Sequence, residues 1–188
     1  RRLLAAYYAS DTTPLPEMMF VSALSQMWVF AVYELLRTWR QRVTELLALG
    51  GQLQRLRGAA RAQRIKAEQA SIRSVMQDTA AAAMRRSAIE WARTKTKRDR
   101  LQKALDRVMP LYRRLEALRV ALAKHEVAKT GKRGKSRPLV AFNPGYARID
   151  PLDGSIKWLF DYADGTSDML SRRGLAEELR RLHRGGST

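Results

Sequence analysis

The sequence contains no cysteine and only two histidines, His125 and His183, among 188 residues. Disulfides and cysteine-built zinc sites are therefore excluded. Two histidines 58 positions apart do not make a histidine-rich metal site either. The expectation is a protein without metal or cofactor, and the lack of thiols suits a reducing cytoplasm. Proline is scarce, with none between Pro16 and Pro110, so long helices are unimpeded there. Acidic residues are few: 18 Asp and Glu stand against 36 Lys and Arg, a formal net charge of +18. A charge-free run long enough to span a bilayer is also missing. Met18–Leu36 is the most apolar stretch, but it holds Ser22, Ser25, Gln26 and Glu34 and continues into an amphipathic pattern. It reads as a helix buried on most sides, in a bundle centre or a dimer interface, with no membrane partner. The chain begins at Arg1 rather than methionine, so a longer N-terminus is expected.

What is present is segregated. Residues 1–50 carry 5 Lys and Arg against 4 acids, residues 51–138 carry 24 against 7, and residues 139–188 carry 7 against 7. Seventeen of the eighteen net charges thus fall in the middle block. A cationic block of this kind attracts a polyanion, because neutralising phosphates releases their condensed counterions. RNA is the expected partner, with DNA as the alternative.

Hydrophobic residues make up 45% of the chain, enough for a packed core. The fold class expected is mainly α: a helical bundle, then a three-stranded antiparallel β-meander and a short terminal helix. The bundle with its basic block should occupy 1–138. The meander and last helix, 139–188, should be appended to the same domain. A first long helix is expected from near Glu17 toward Leu49, stopping at Gly50-Gly51. Residues 52–109 have helical composition throughout, but one unbroken helix would be about 87 Å long, so a turn is expected at Gly58 or within Ser71–Ser74. Ala80–Ala83 should allow close helix packing, and Ile89, Ala92, Thr96, Leu101, Leu105 and Val108 continue an apolar stripe. Pro110 should open a new helix, Leu111–Val127, with Leu111, Leu115, Leu118 and Leu122 on one face. Lys129–Pro138 reads as a mobile basic loop.

The tail changes period. Tyr146–Asp150, Ser155–Tyr162 and Thr166–Ser171 read as strands joined by turns at Asp153-Gly154 and Asp164-Gly165. A two-residue loop at Asp164-Gly165 would set Phe160 opposite Met169 and Leu159 opposite Leu170. A four-residue loop Pro151–Gly154 would set Ile149 opposite Ile156. Ile149, Ile156, Trp158, Phe160 and Met169 would then share a face. A helix Arg173–His183, capped by Ser171, closes the chain.

Arg119 and His125 are the candidate catalytic pair. Histidine exchanges a proton near neutral pH, and arginine holds a phosphate by two hydrogen bonds. Together they supply the minimum for metal-free RNA cleavage by the neighbouring 2′-hydroxyl. Six residues of helix turn about 600°, so the two side chains point about 120° apart. Convergence requires a helix end between them or a second copy across a dimer axis. The opposing reading is a surface histidine on a basic helix.

Arg119-Val-Ala-Leu-Ala-Lys-His125, late in a helical chain, resembles the R-x4–6-H motif of the HEPN superfamily of ribonucleases and RNA-binding domains. Coverage would run from about Glu17 to Ala128. The resemblance implies a homodimer with the Arg and His at its interface, His125 as general acid or base and Arg119 as phosphate ligand. It also implies an acidic residue from an earlier helix, for which Glu34, in an apolar helix, is the candidate. Val120 departs from the family, which usually has a polar residue after the motif arginine. Toxin–antitoxin or antiviral-defence roles, with an antitoxin or other protein partner, follow from the resemblance alone.

Candidate phosphate contacts are Arg93, Lys95, Lys97, Arg98, Lys103, Lys124, Lys129, Lys132, Arg133 and Lys135. The plainer reading of Arg93–Lys103 is a solvated helix face. Trp28, Trp39 and Trp91 read as core or interface, Trp158 as a sheet-face residue, and Asp161, Asp164 and Asp168 as turn chemistry. Two further functions stay open: a non-catalytic nucleic-acid-binding protein, and a helical scaffold whose Trp28–Tyr33 face binds a larger partner.

Overall fold

The computed structural model describes residues 5–6, 8–9, 15–75, 79–124, 148–150, 154–161 and 167–184. The protein is mainly helical: α1 (Leu15–Arg55), α2 (Gly58–Val75), α3 (Thr79–Arg93) and α4 (Lys95–Lys124) precede β1 (Arg148–Ile149), β2 (Ile156–Asp161), β3 (Ser167–Ser171) and α5 (Arg172–Arg184). The chain divides into two compact units, residues 1–36 with 110–188, and residues 37–109. The boundaries fall inside α1 and at Pro110 in α4, away from the composition change at 138.

In the unit 37–109, α1 runs through Gly50-Gly51 instead of stopping there. Gly50 is buried, and a Cβ on it would meet the Ala92 carbonyl oxygen at 2.9 Å and run into the Arg98 side chain. Glycine serves here as a packing notch, so its helix-breaking tendency is outweighed by what the absent side chain admits. The chain does turn at Gly58, whose φ of +52° suits glycine; α2 ends at Val75 and α3 begins at Thr79, and the helical run is interrupted again at Thr94. Val43, Leu53, Ile89 and Ala92 are buried, whereas Thr96 is exposed. Glu68 of α2 accepts from Arg64 at 2.7 Å and from Arg85 of α3 at 3.1 Å, which ties these two helices together.

In the other unit, Leu111, Leu115, Leu118 and Leu122 are all buried, on the face their spacing predicts. Pro110 lies inside α4 and does not begin a helix. Its ring is exposed, so the missing donor to the carbonyl four residues back is left on the solvent side while the buried leucines hold the helix together. Val29 and Tyr33 of α1 are buried, and the Tyr33 and Tyr112 rings stack with centroids 5.5 Å apart. Yet α1 is not buried on most sides. Met19, Phe20, Leu24, Met27 and Leu35 remain exposed, and this is the one described helix long and apolar enough to cross a membrane.

The sheet is small and antiparallel. Strands β2 and β3 pair from Lys157↔Ser171 to Asp161↔Ser167, and the two-residue β1 pairs on the other edge of β2 at Arg148↔Lys157 and Ile149↔Ile156. The expected three-stranded meander is thus reduced to a two-stranded sheet with a two-residue edge. Ile149 opposes Ile156 as predicted. The second register slips by one: Trp158 opposes Leu170 and Leu159 opposes Met169. The last pair leaves five residues between Asp161 and Ser167 rather than a two-residue turn. The slip buries Leu170 with Trp158 and turns Met169 and Leu159 outward, at 54% and 44% exposure. Burying a matched Trp–Leu pair outweighs the local turn preference. Gly154, with φ +69°, makes the first turn, closed by Asp150 N–H to the Ser155 carbonyl at 2.8 Å. Ser171 caps α5 as expected, its Oγ accepting from Gly174 N–H at 2.9 Å. Leu175 anchors α5, and Arg114 of α4 donates to Asp168 at 3.1 Å and to Glu178 at 2.9 Å.

Candidate functional site

Arg119 lies one turn before the end of α4 and is half-buried. Its guanidinium sits over the Tyr33 ring, 5.1 Å from the centroid. The Tyr33 and Tyr112 hydroxyls are 3.3 Å apart, and Tyr112 Oη donates to Glu116 at 3.4 Å. Tyr112, Glu116 and Arg119 follow one another at i, i+4 and i+7, so a single helical face presents all three to Tyr33. A cation over a partly desolvated ring gains about 1 kcal/mol. The N–H groups of a guanidinium held in this way remain able to donate to an anion.

Glu34 is the acid expected beside Arg119. It is exposed, one position and about 100° around the helix from buried Tyr33. The expected burial of its charge is therefore corrected. Glu116, three residues before Arg119, is the acid that Tyr112 holds. The i, i+3 spacing of Glu116 and Arg119 was a readable signal, but it resembled an ordinary helix-surface pair. His125, Lys129, Lys132, Arg133 and Lys135 lie outside the described residues, and Lys124 is described in its backbone only.

The basic run of α3 and α4 separates into distinct roles. Arg98 is buried at 8% exposure, and its guanidinium donates to the Ala92 carbonyl at 2.7 Å. It bridges the break at Thr94 and fills the notch left by Gly50, so it serves the fold and is not presented to phosphate. Lys97 pairs with Glu90 and lies 5.6 Å from the Trp91 ring centroid. That pairing holds the Glu90 carboxyl below its usual range, first through the Lys97 hydrogen bond and then through its charge. Lys95 pairs with Asp99 at 2.7 Å and lowers its pKa in the same way. Arg93, Arg100 and Lys103 are exposed and make no salt bridge among the described residues, although the charges of Arg93 and Lys103 act at longer range on Glu90 and Asp99. These three can follow a phosphate backbone without first breaking an ion pair.

Two clefts accompany these groups. In the unit 37–109, about 670 Å³ lies between α1, α2 and α3, lined by Leu46, Leu49, Met84 and the Arg64–Glu68–Arg85 cluster. In the other unit, about 450 Å³ lies beside α5, lined by Trp28, Arg172, Arg173 and Arg180 among others. Sequence reading missed the second, because the tail is neutral in sum. No group of three or more metal-ligating side chains occurs among the described residues. No family model, curated protein or solved structure matches this chain.

Proposed function

We propose that the protein binds RNA, by phosphate contacts along its cationic middle block, as a homodimer. The observation that carries this reading is the segregation of charge: 24 Lys and Arg against 7 acids within residues 51–138. Arg93, Arg100 and Lys103 supply exposed cations there, whereas Arg98 does not. The homodimer rests on the exposed apolar row Phe20, Leu24, Met27 and Leu35, which a second copy of α1 would cover. The test is RNA binding against salt. Affinity should fall steeply, by about 0.7 in the logarithmic slope per phosphate contacted on a single strand. Reversing Arg100 and Lys103 should flatten the slope more than reversing Lys95 and Lys97, whose charges are already engaged. A slope near zero in the parent protein would sink the proposal in favour of a scaffold.

The second reading is a metal-independent endoribonuclease of HEPN type, serving as a toxin or in phage defence. It is favoured by the position of Arg119, half-buried with its guanidinium over the Tyr33 ring. In this reading Arg119 would hold the scissile phosphate and His125 would exchange the proton. Total RNA should then be cleaved in EDTA, and His125→Ala should abolish cleavage with RNA affinity almost unchanged. RNA left intact by the parent protein would leave binding alone.

A further inference from the structure

The C-terminal segment 139–188 is neutral, with 7 basic and 7 acidic residues. Folding separates those charges. Asp150 holds Lys157, Asp168 and Glu178 both hold Arg114, and Glu177 holds Arg173. Arg172 and Arg180 are left exposed, with no acidic partner among the described residues. They stand on one stripe of α5, eight residues and about 12 Å of helix apart, with small Ala176 midway between them. The cleft of about 450 Å³ opens at this stripe. Half-buried Trp28 of α1 and the Gly154–Ser155 turn form its other walls, and the mutually paired Arg173 and Glu177 also line it, so three guanidiniums face one carboxylate. The helix N-terminus is not what makes the site, since Gly174 N–H is already spent on Ser171.

Two unneutralised guanidiniums select an anion, and phosphate suits their forked donors. An indole beside them selects a planar group attached to that anion. The volume falls within the range of about 300–1,000 Å³ found for small-ligand sites. One unit carrying both features is a nucleotide. We propose that this cleft is a nucleotide subsite for single-stranded nucleic acid, with a phosphate held by Arg172 and Arg180 and a base stacked on Trp28. The subsite rests on the nucleic-acid-binding reading and extends it to a segment whose net charge is zero. It takes one nucleotide of the strand.

The test uses the full chain and a ten-nucleotide oligouridylate carrying 4-thiouridine, with ultraviolet cross-linking, peptide mapping and fluorescence anisotropy. A cross-link should map to the peptide containing Trp28. Trp28→Leu should weaken binding about tenfold with the salt slope unchanged, as expected for lost stacking. Arg172→Ala with Arg180→Ala should lower the slope by about 0.7 and remove the Trp28 cross-link, while cross-links within 51–138 persist. Both arginines are exposed, so this double variant should melt like the parent. AMP should compete better than inorganic phosphate. Equal competition would overturn the base contact, leaving a simple anion site. Cross-links confined to 51–138 would overturn the subsite and leave the nucleic-acid reading standing. No oligonucleotide binding at all would overturn both.

Discussion

Gly50 and Gly51 are neighbours in one helix, and alanine should act on them in opposite directions. At an open helical site, Gly→Ala stabilises by about 1 kcal/mol, because glycine has more chain entropy to lose. Gly51 is such a site: an added Cβ meets nothing within 4 Å. At Gly50 the Cβ would lie 2.9 Å from the Ala92 carbonyl oxygen and would overlap the Arg98 side chain. Arg98 would have to leave, breaking its 2.7 Å hydrogen bond to that same carbonyl. Losing a buried hydrogen bond from a charged group costs roughly 1.5–3 kcal/mol, and overpacking costs roughly 1–3 more. Set against the 1 kcal/mol propensity gain, the net destabilisation should be about 2 kcal/mol or more. For a chain of this size that lowers the melting temperature by roughly 4–8 °C, whereas Gly51→Ala should raise it by roughly 2–4 °C. Thermal and urea unfolding followed by circular dichroism at 222 nm reads both. In an Arg98→Ala background, Gly50→Ala should lose most of its cost, since the displaced side chain is gone. Equal stabilisation by the two glycine substitutions would refute the notch, and with it the structural assignment of Arg98.

Arg114→Ala should destabilise by about 1 kcal/mol, because it removes the cation shared by Asp168 and Glu178 while all three groups keep partial access to water. Its effect should disappear in the triple variant with Asp168→Asn and Glu178→Gln, as measured by urea midpoints. The Glu90 carboxyl is held below its ordinary value by Lys97, so that pair stabilises the fold above the unfolded-state pKa and stops doing so as pH falls through the folded-state value. The difference in urea midpoint between parent and Lys97→Met, present at pH 7, should therefore close as the pH drops below 4.5. A difference that persists at low pH would show that Lys97 acts through its packing on Trp91 instead.

Periodicity and composition alone determined a good deal of this protein. The leucine face of α4, the turn at Gly58, the Ser171 cap, the pairing of Ile149 with Ile156 and the cationic middle block were all legible, because each depends on neighbours within a few residues or on a simple count. Other features required tertiary structure. Gly50-Gly51 and Pro110 are local breakers, but Arg98 fills the notch at one, and buried leucines carry the helix through the other. The hairpin register followed burial of Trp158 with Leu170 instead of the Asp164-Gly165 turn signal. Glu34 appeared to be an acid inside an apolar helix, yet it is exposed beside buried Tyr33, because a one-residue step rotates a side chain by about 100°. Arg98 matched its basic neighbours in sequence and differs from them only in burial. The neutral tail hid two unpaired arginines, because a sum of charges does not say which acid each base will meet, and only the packing of α4 against β3 and α5 settles that.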